Sequence, residues 1–220
     1  MTMPHETFAI AGGTGELGSA LARRLVAAGC DVVLGSRDAA RAAAAAERLH
    51  SLVAPAGRLR SASNAQAAAL ATCIIVTVPF ESQAAVLEDI KPQVAGKLVV
   101  DCTVPLVPPK VMRVQLPEPG CAALRAQRIL GAGVTVCSAF HNVAAHKLAA
   151  DGKVDCDVLV FGDERAARER VIAIVEHCGL RGLHGGALAN SAAAEALTSV
   201  LIFINKHYSV DGAGIRITGP

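Results

Sequence analysis

One segment near the start of the sequence reads Phe8-Ala9-Ile10-Ala11-Gly12-Gly13-Thr14-Gly15-Glu16-Leu17-Gly18. It begins as a short apolar run with strand character, passes through glycines, and continues with apolar residues at helical spacing. Gly13, Gly15 and Gly18 form the pattern G-x-G-x-x-G at this junction between a predicted strand and a predicted helix. In such a pattern the first glycine permits a tight turn, the second admits a pyrophosphate to the backbone, and the third lets the helix pack on the strand. The segment therefore predicts an anion site at a helix N-terminus, the alternative being a glycine-rich turn without a ligand.

The overall composition limits the class of protein. The chain has 220 residues, of which 52% are hydrophobic and 18% charged, which is ample for a folded core. This length suits one large domain or one domain with a small appendage. The net charge is only +2, Trp is absent and aromatic residues make up 3%, so no basic surface or stacking platform indicates a nucleic-acid partner.

Cysteine usage and the terminal segments bear on location. The seven cysteines are scattered without a C-x-x-C pair, which favours reduced, buried thiols over disulfides or a metal site. The first residues lack a charged-then-apolar signal pattern, and we expect a cytoplasmic protein. The apolar run Val200–Ile204 is too short to span a bilayer, and we expect no membrane partner.

Apolar runs of strand length alternate with helical patterns along the chain. A strand at 31–35 follows the first helix, and strand, helix and strand within about 30 residues form a βαβ unit with parallel pairing. Further strands are predicted at 73–78, 97–102, 134–139 and 157–161, with a short edge strand in the loop at 53–63. Helices are predicted at 38–49, 65–70, 81–90, 120–130, 165–178 and 188–208, with a short helix or loop at 141–150.

This alternation predicts an α/β fold, a Rossmann-type doubly wound parallel sheet with a smaller C-terminal α/β part. We place a Rossmann domain at 1–140 and the smaller domain at 141–220. The helix at 188–208 is apolar almost all round. Because such a helix is buried, often against a second subunit, it indicates a homodimer.

The end of the second strand indicates which dinucleotide binds. An NAD-binding strand usually ends in Asp or Glu roughly 20 residues past the glycines, to hold the ribose 2′-hydroxyl. Here a hydroxyl and a guanidinium, Ser36 and Arg37, replace the carboxylate, and Arg41 lies one helical turn further on. Asp38 would repel a 2′-phosphate, so we expect it to point outward as a helix cap. The pattern favours NADP over NAD, the alternative being that both arginines are solvated.

Five groups of residues resemble a known family in order along the chain. They are the Gly-Gly-Thr-Gly-x-Leu-Gly turn with Gly-Ser-Arg, Thr77-Val78-Pro79-Phe80, Val104-Pro105-Leu106-Val107-Pro108, Ser138-Ala139-Phe140-His141, and Asn190-Ser191 with Glu195-Ala196-Leu197-Thr198. Together they resemble the F420:NADP oxidoreductases, which are NADPH-dependent reductases of the deazaflavin coenzyme F420. The family commonly has Trp where Phe80 stands and His-Thr-Ile-Pro where this chain has His141-Asn142-Val143-Ala144.

The resemblance implies a function and a set of site residues. The chain would transfer a hydride between NADP(H) and F420, and its C-terminal part would close a groove over the second coenzyme. The residues implied to contact NADP are Thr14, Gly15, Glu16, Leu17, Ser36, Arg37 and Arg41. Val78, Pro79 and His141 would lie near the nicotinamide and deazaflavin rings. A similar domain in membrane-bound metalloreductases passes hydride to a flavin, so a flavin is the alternative acceptor.

The chemistry of hydride transfer asks little of the side chains, because the two coenzymes carry the reaction. His141 is the candidate orienting residue, and a structural, buried histidine is the alternative. Two other functions stay open: an NADP-binding redox sensor without catalysis, and an imine or 2-hydroxyacid dehydrogenase. The dehydrogenase would need a general acid, for which Lys147 is the only nearby lysine. We expect no metal site.

Overall fold

The computed structural model describes residues 6–52 and 56–219 of the chain. Two segments lie outside the described residues, namely residues 1–5 and residues 53–55. The first is part of the segment examined for a signal pattern, and the second is part of the predicted loop. The strands are β1 (Thr7–Ala11), β2 (Asp31–Ser36), β3 (Leu59–Ser63), β4 (Cys73–Val76), β5 (Leu98–Asp101), β6 (Thr135–Ser138), β7 (Asp157–Gly162) and β8 (Arg181–Gly186). The helices are α1 (Glu16–Ala27), α2 (Ala39–Leu52), α3 (Asn64–Leu70), α4 (Phe80–Ile90), α5 (Ala122–Leu130), α6 (Ala145–Ala149), α7 (Arg165–His177) and α8 (Ser191–Tyr208).

The strands form one sheet in the order β3-β2-β1-β4-β5-β6-β7-β8. The first six positions repeat the strand order 3-2-1-4-5-6 of a Rossmann fold, and every pair among them is parallel. The order reverses between β1 and β4, where Phe8 pairs with Cys73 and Ala11 with Val76. The predicted doubly wound α/β fold is confirmed, and this reversal marks the crevice in which such sheets bind ligands.

Both faces of the sheet are covered by helices. Along β1, Phe8 and Ile10 contribute to one apolar core, while Ala9 and Ala11 contribute to the core on the opposite face. Because parallel strands buried on both faces have no solvent side, they show continuous apolar runs such as Cys73–Val76 rather than alternation. The short helix α3 begins with a capping box, in which Ser63 and Gln66 each accept from the other's backbone N–H at 3.2 Å.

The C-terminal part continues the same sheet. β7 joins β6 in the antiparallel direction through two residue pairs, Cys137 with Gly162 and Ser138 with Phe161, and β8 then pairs with β7 in parallel. Strand β8 was not predicted, because its sequence Arg-Gly-Leu-His-Gly-Gly has three glycines and no β-branched residue. The domain boundary after residue 140 stays a prediction, with one sheet running through both parts.

The predicted long C-terminal helix is observed as a single 3₁₀ turn, Leu188–Asn190, followed by α8. Within the described residues, Leu188–Tyr208 is 21 residues long and contains an 18-residue window with a mean hydropathy of 1.3, of which 33% is buried, so by length and composition it could cross a membrane. Core helices of soluble proteins meet the same criterion. The shortness of the run Val200–Ile204 therefore gives no argument against a membrane partner, because the longer segment contains it. The absence of a membrane partner stays a prediction.

All seven cysteines lie within the described residues, and each is a free, buried thiol. Burial raises the pKa of each one, for example to about 12 at Cys137 and to about 11 at Cys121. They act as small apolar residues of the core, as the sequence predicted.

Candidate functional site

The glycine-rich turn joins β1 to α1 at the carboxyl end of the sheet. The backbone takes a positive φ of 78° at Gly12, one residue earlier than predicted, and a Cβ there would lie 2.5 Å from Cγ1 of Val78. Gly13 instead allows close packing, because its Cβ would lie 2.7 Å from Cδ2 of Leu34. Its N–H donates to the carbonyls of Ile10, in β1, and Gly35, in β2. These hydrogen bonds hold the glycine-rich turn against both strands.

The other two glycines of the motif differ in the space around them. A Cβ on Gly18 would lie 2.8 Å from Cα of Gly13 and 2.9 Å from the carbonyl oxygen of Gly12, so only glycine lets α1 start this close to the turn. A Cβ on Gly15 would meet nothing nearer than 3.4 Å. Among the described residues no side chain caps α1, so its first-turn N–H groups face the space beside Gly15 and suit an anion.

Two arginines lie just after the end of β2, Arg37 directly after the strand and Arg41 in the first turn of α2. Arg37 and Arg41 are exposed, and neither forms an ion pair within the described part of the chain. Asp38 accepts hydrogen bonds from the N–H groups of Ala40 at 2.9 Å and Arg41 at 3.2 Å, which is the expected capping role. Its carboxylate is therefore engaged by α2, which leaves the two guanidinium groups available to a phosphate. Asp38 nevertheless lines the same cavity as the two arginines, so it caps the helix as expected but does not lie outside the cavity.

A cavity of about 370 Å³ brings most of the predicted residues together. It lies at the reversal of strand order between β1 and β4, where Rossmann folds bind dinucleotides. Its lining consists of Gly12, Thr14, Gly15, Ser36, Arg37, Asp38, Arg41, Asn64, Thr77, Val78, Pro79, Ser82 and Val86. The glycine turn, the arginine pair and the segment after β4 thus share one crevice, which fits a phosphorylated dinucleotide laid from β2 across to β4.

Four predicted residues of the turn do not line this cavity. Gly13 packs closely against Leu34. Glu16 is exposed and faces a second cavity between α1, α2 and α6. Leu17 packs against the core, and Gly18 lies beneath the turn. Any contact of Leu17 with a ligand would therefore use its backbone.

Five residues that line the cavity were missed by sequence reasoning, namely Gly12, Val86 and three with polar side chains, Asn64, Thr77 and Ser82. Asn64 is 2% exposed, and its Oδ1 accepts the N–H of Gly12 at 3.3 Å, so it holds the turn from α3. Thr77 donates from its hydroxyl to the carbonyl of Ala11 at 3.1 Å, and Ser82 lies in the first turn of α4. The available signal was position, because Asn64 and Thr77 directly follow β3 and β4 at the ligand-binding edge of the sheet.

His141 is the third residue after the end of β6 and directly follows Phe140, whose φ of 67° is left-handed. The imidazole is 5% exposed, and neither ring nitrogen has a hydrogen-bond partner among the described residues. Burial lowers its pKa to about 4, so the ring is neutral near pH 7 and carries one donor and one acceptor. Its carbonyl accepts from the hydroxyl of Thr198 at 2.9 Å, which ties this turn to α8.

His141 does not line the dinucleotide cavity, and neither does Lys147. The Cε of Lys147 lies against Gly212 in the C-terminal segment, 3.0 Å from where a Cβ would stand. A role for Lys147 as a general acid beside a nicotinamide therefore has no support in this geometry. No group of three or more metal-ligating side chains occurs within residues 6–52 and 56–219.

The fold and the cavity define a dinucleotide-binding α/β protein. Residues 7–105 match the family model described as NADP oxidoreductase, coenzyme F420-dependent. The chain is 38% identical over 218 residues to the F420-dependent NADP reductase of Methanothermobacter marburgensis, covering 96% of this chain and 97% of that one. It is 39% identical to the F420-dependent NADP reductase of Methanothermobacter thermautotrophicus, covering 96% and 94% of the two chains. The chain therefore belongs to the F420-dependent NADP reductase family.

A solved structure shows the same fold. It is that of an Arthrobacter protein provisionally described as an F420-dependent NADP reductase. The TM-score is 0.79 at 22% identity, covering 97% of this chain and 99% of that one. At this level of identity, the likeness concerns the fold alone.

Proposed function

We propose that this chain transfers a hydride between NADP(H) and the deazaflavin coenzyme F420. The observation that carries the proposal is that Arg37 and Arg41, which form no ion pair among the described residues, share one cavity with Gly15, Val78 and Pro79. That lining offers cations to a 2′-phosphate at one end and apolar surface to a planar ring at the other. Membership of the F420-dependent NADP reductase family supports the choice of acceptor over a flavin.

The residues of the chain bind and orient, while the bound coenzymes supply the hydride and its acceptor carbon. Arg37, Arg41 and the hydroxyl of Ser36 hold the 2′-phosphate, and Gly15 admits the pyrophosphate to the N-terminus of α1. Val78 and Pro79 cover one face of the nicotinamide and exclude water. His141 is buried and does not line this cavity, so its proposed role in orienting the acceptor ring rests on the family resemblance alone.

The proposal is tested by following NADPH oxidation at the nicotinamide band with F420, FMN and FAD in separate reactions. We expect turnover with F420 and a much lower kcat/KM with either flavin. Turnover with a flavin but not with F420 would make the chain a flavin reductase. Tight NADPH binding without turnover on any of the three would make it a redox sensor and would contradict the proposal.

We further propose a cytoplasmic homodimer without a nucleic-acid or membrane partner. On α8, Val200 is 43% and Phe203 50% exposed, although both are large apolar residues. The neighbouring loop exposes four more: Val107, Met112, Val114 and Leu116. The hydroxyl of Ser199 donates to the carbonyl of Arg113 at 3.4 Å, which holds this loop against α8. These exposed apolar residues on α8 and on the loop held against it suit a surface that a second copy of the chain covers.

A further inference from the structure

A cluster of buried polar side chains lies behind the segment that follows β4. Gln83 and Asp101 are fully buried, Thr103 is 1% exposed, and so is Glu195. They come from α4, the end of β5, the residues after it, and α8. Because burying polar groups is costly unless they are hydrogen-bonded, such a cluster requires a set of partners.

Gln83 is at the centre of this cluster, and its amide orientation is fixed on both sides. Its Nε2 donates to Oδ2 of Asp101 at 2.6 Å and to the carbonyl of Ala122 at 3.1 Å. Its Oε1 accepts from Nε of Arg125 at 2.7 Å. The other carboxylate oxygen of Asp101 accepts from the hydroxyl of Thr103 at 2.7 Å. Asp101 thus fixes Gln83, and Gln83 fixes Arg125.

Arg125 reaches from α5 to Phe80 in two ways. Its Nη2 donates to the carbonyl of Phe80 at 2.8 Å, and its Cζ lies 3.8 Å from the centroid of the Phe80 ring. The guanidinium therefore holds both the backbone and the ring of one residue. Phe80 directly follows Val78 and Pro79, which line the dinucleotide cavity, and its own ring is only half-buried.

The same helix is anchored to the C-terminal part by Glu195. Its two carboxylate oxygens accept from the N–H groups of Ala122 at 2.7 Å and Ala123 at 3.0 Å, in the first turn of α5. A carboxylate from α8 thus satisfies the N-terminus of the helix that carries Arg125. The position of the guanidinium is set from both the Rossmann part and α8.

We propose that Arg125 is a positioning residue for hydride transfer, which holds Phe80 as the apolar wall on which the acceptor ring lies. This inference rests on the proposed function, because it requires an acceptor beside the segment 78–80. Arg125 contacts neither coenzyme itself and acts through Phe80.

The test compares Arg125→Met with Arg128→Met. Arg128 lies on the same helix, and its exposed side chain pairs with the exposed Glu118, so R128M is the matched control. We expect R125M to raise the KM for F420 at least fivefold while the Kd for NADPH, measured by titration, stays within twofold. R128M should leave both constants unchanged. An R125M variant that folds and keeps the acceptor KM within twofold would overturn the inference.

A double-mutant cycle with Phe80→Leu separates positioning from general stability. If Arg125 acts through Phe80, adding R125M to F80L should change the acceptor KM less than twofold further. Full additivity of the two effects, or a parallel loss of NADPH affinity and thermal stability in R125M, would show a structural role instead.

If R125M does not fold, Arg125→Lys tests instead whether Arg125 positions Phe80. A single ammonium cannot reproduce the fork that reaches Gln83 and Phe80 together, so we expect at least a threefold rise in the acceptor KM. A wild-type KM in R125K would overturn the inference. Absence of F420 turnover by the wild-type chain would remove the proposed function and this inference together, whereas an active wild type with an unaffected R125M would remove only the inference.

Discussion

At the scale of single residues, the nucleotide preference depends on what stands at the end of β2. Ser36 is buried, and its Oγ accepts the N–H of Asp38 at 3.1 Å, so the hydroxyl is fixed at the edge of the cavity. The Asp38 carboxylate is bound by the first turn of α2. This leaves Arg37 as the charged group closest in sequence to the position of an NAD-binding carboxylate.

We expect Arg37→Ala to weaken NADPH binding by about 1.5–3 kcal/mol, the range for a hydrogen bond to a charged group. NADH binding should be nearly unchanged, because NADH lacks the 2′-phosphate. The measurement is a calorimetric titration with both nucleotides. Arg60→Ala, an exposed arginine on β3 outside the cavity, is the control and should bind both as the wild type does. Equal losses for NADPH and NADH would contradict the phosphate assignment.

Residues of the site differ in how far the sequence reveals them. The glycines, Ser36 and Arg37 were predictable, because their roles depend on spacing within one strand–turn–helix unit. The cluster around Gln83 was not, because its hydrogen bonds join residues 18, 42 and 73 positions apart. Asn64 was missed for the same reason, since its partner Gly12 lies 52 residues away.

At the scale of elements, α8 and α5 meet at a carboxylate that titrates near neutral pH. Burial raises the pKa of Glu195 from its ordinary 4.5 to about 7, against the lowering effect of the Ala122 and Ala123 N–H groups. Asp101 raises this pKa further, and Arg125 lowers it. Burial likewise raises the pKa of Asp101 to about 6. The native state therefore holds protons that the unfolded chain has already released.

The sign of the pH dependence follows directly. Because the folded pKa of Glu195 is above the unfolded one, its favourable contribution is complete below pH 4.5 and is lost as pH rises through about 7. We expect the free energy of unfolding to fall from pH 5 to pH 7.5 in the wild type, and this fall to be at least about 1 kcal/mol smaller in Glu195→Gln.

The measurement for Glu195 is urea unfolding at the two pH values. Glu169→Gln, which removes an exposed carboxylate from α7, is the control and should behave as the wild type. An unchanged pH dependence in E195Q would show that the buried carboxyl does not titrate in this range.

The elements themselves were largely predictable, with errors of a few residues at their ends. Continuous β-branched runs such as Cys73–Val76 leave little ambiguity, since a strand buried on both faces needs them. Strand β8 was missed because three of its six residues are glycine, and its strand conformation is imposed by pairing with β7. Local propensity carries no signal for such tertiary pairing.

At the scale of the whole molecule, only five of the 18 residues of α8 are buried within its own chain. We expect the wild type to sediment as a dimer and Phe203→Glu as a monomer, because in a twofold interface each substitution places two charges against apolar surface. Leu52→Glu is the control, since Leu52 is 64% exposed on α2. A monomeric wild type at micromolar concentration, or a dimeric F203E, would contradict the homodimer.

The architecture of the sheet was predictable up to β6, because alternating strands and helices with right-handed crossovers allow few arrangements. The addition of β7 in the antiparallel direction was not, since the connection from β6 contains the short α6 rather than a full crossover helix. The prediction of a separate smaller domain was based on the end of the regular strand–helix alternation after β6.

The burial of all seven thiols has a practical meaning for handling this protein. With every sulfur enclosed and its ionisation suppressed, an alkylating or oxidising reagent meets no reactive thiolate on the intact molecule. The rate of covalent labelling at these cysteines would therefore report unfolding of the protein and would be independent of its catalytic activity.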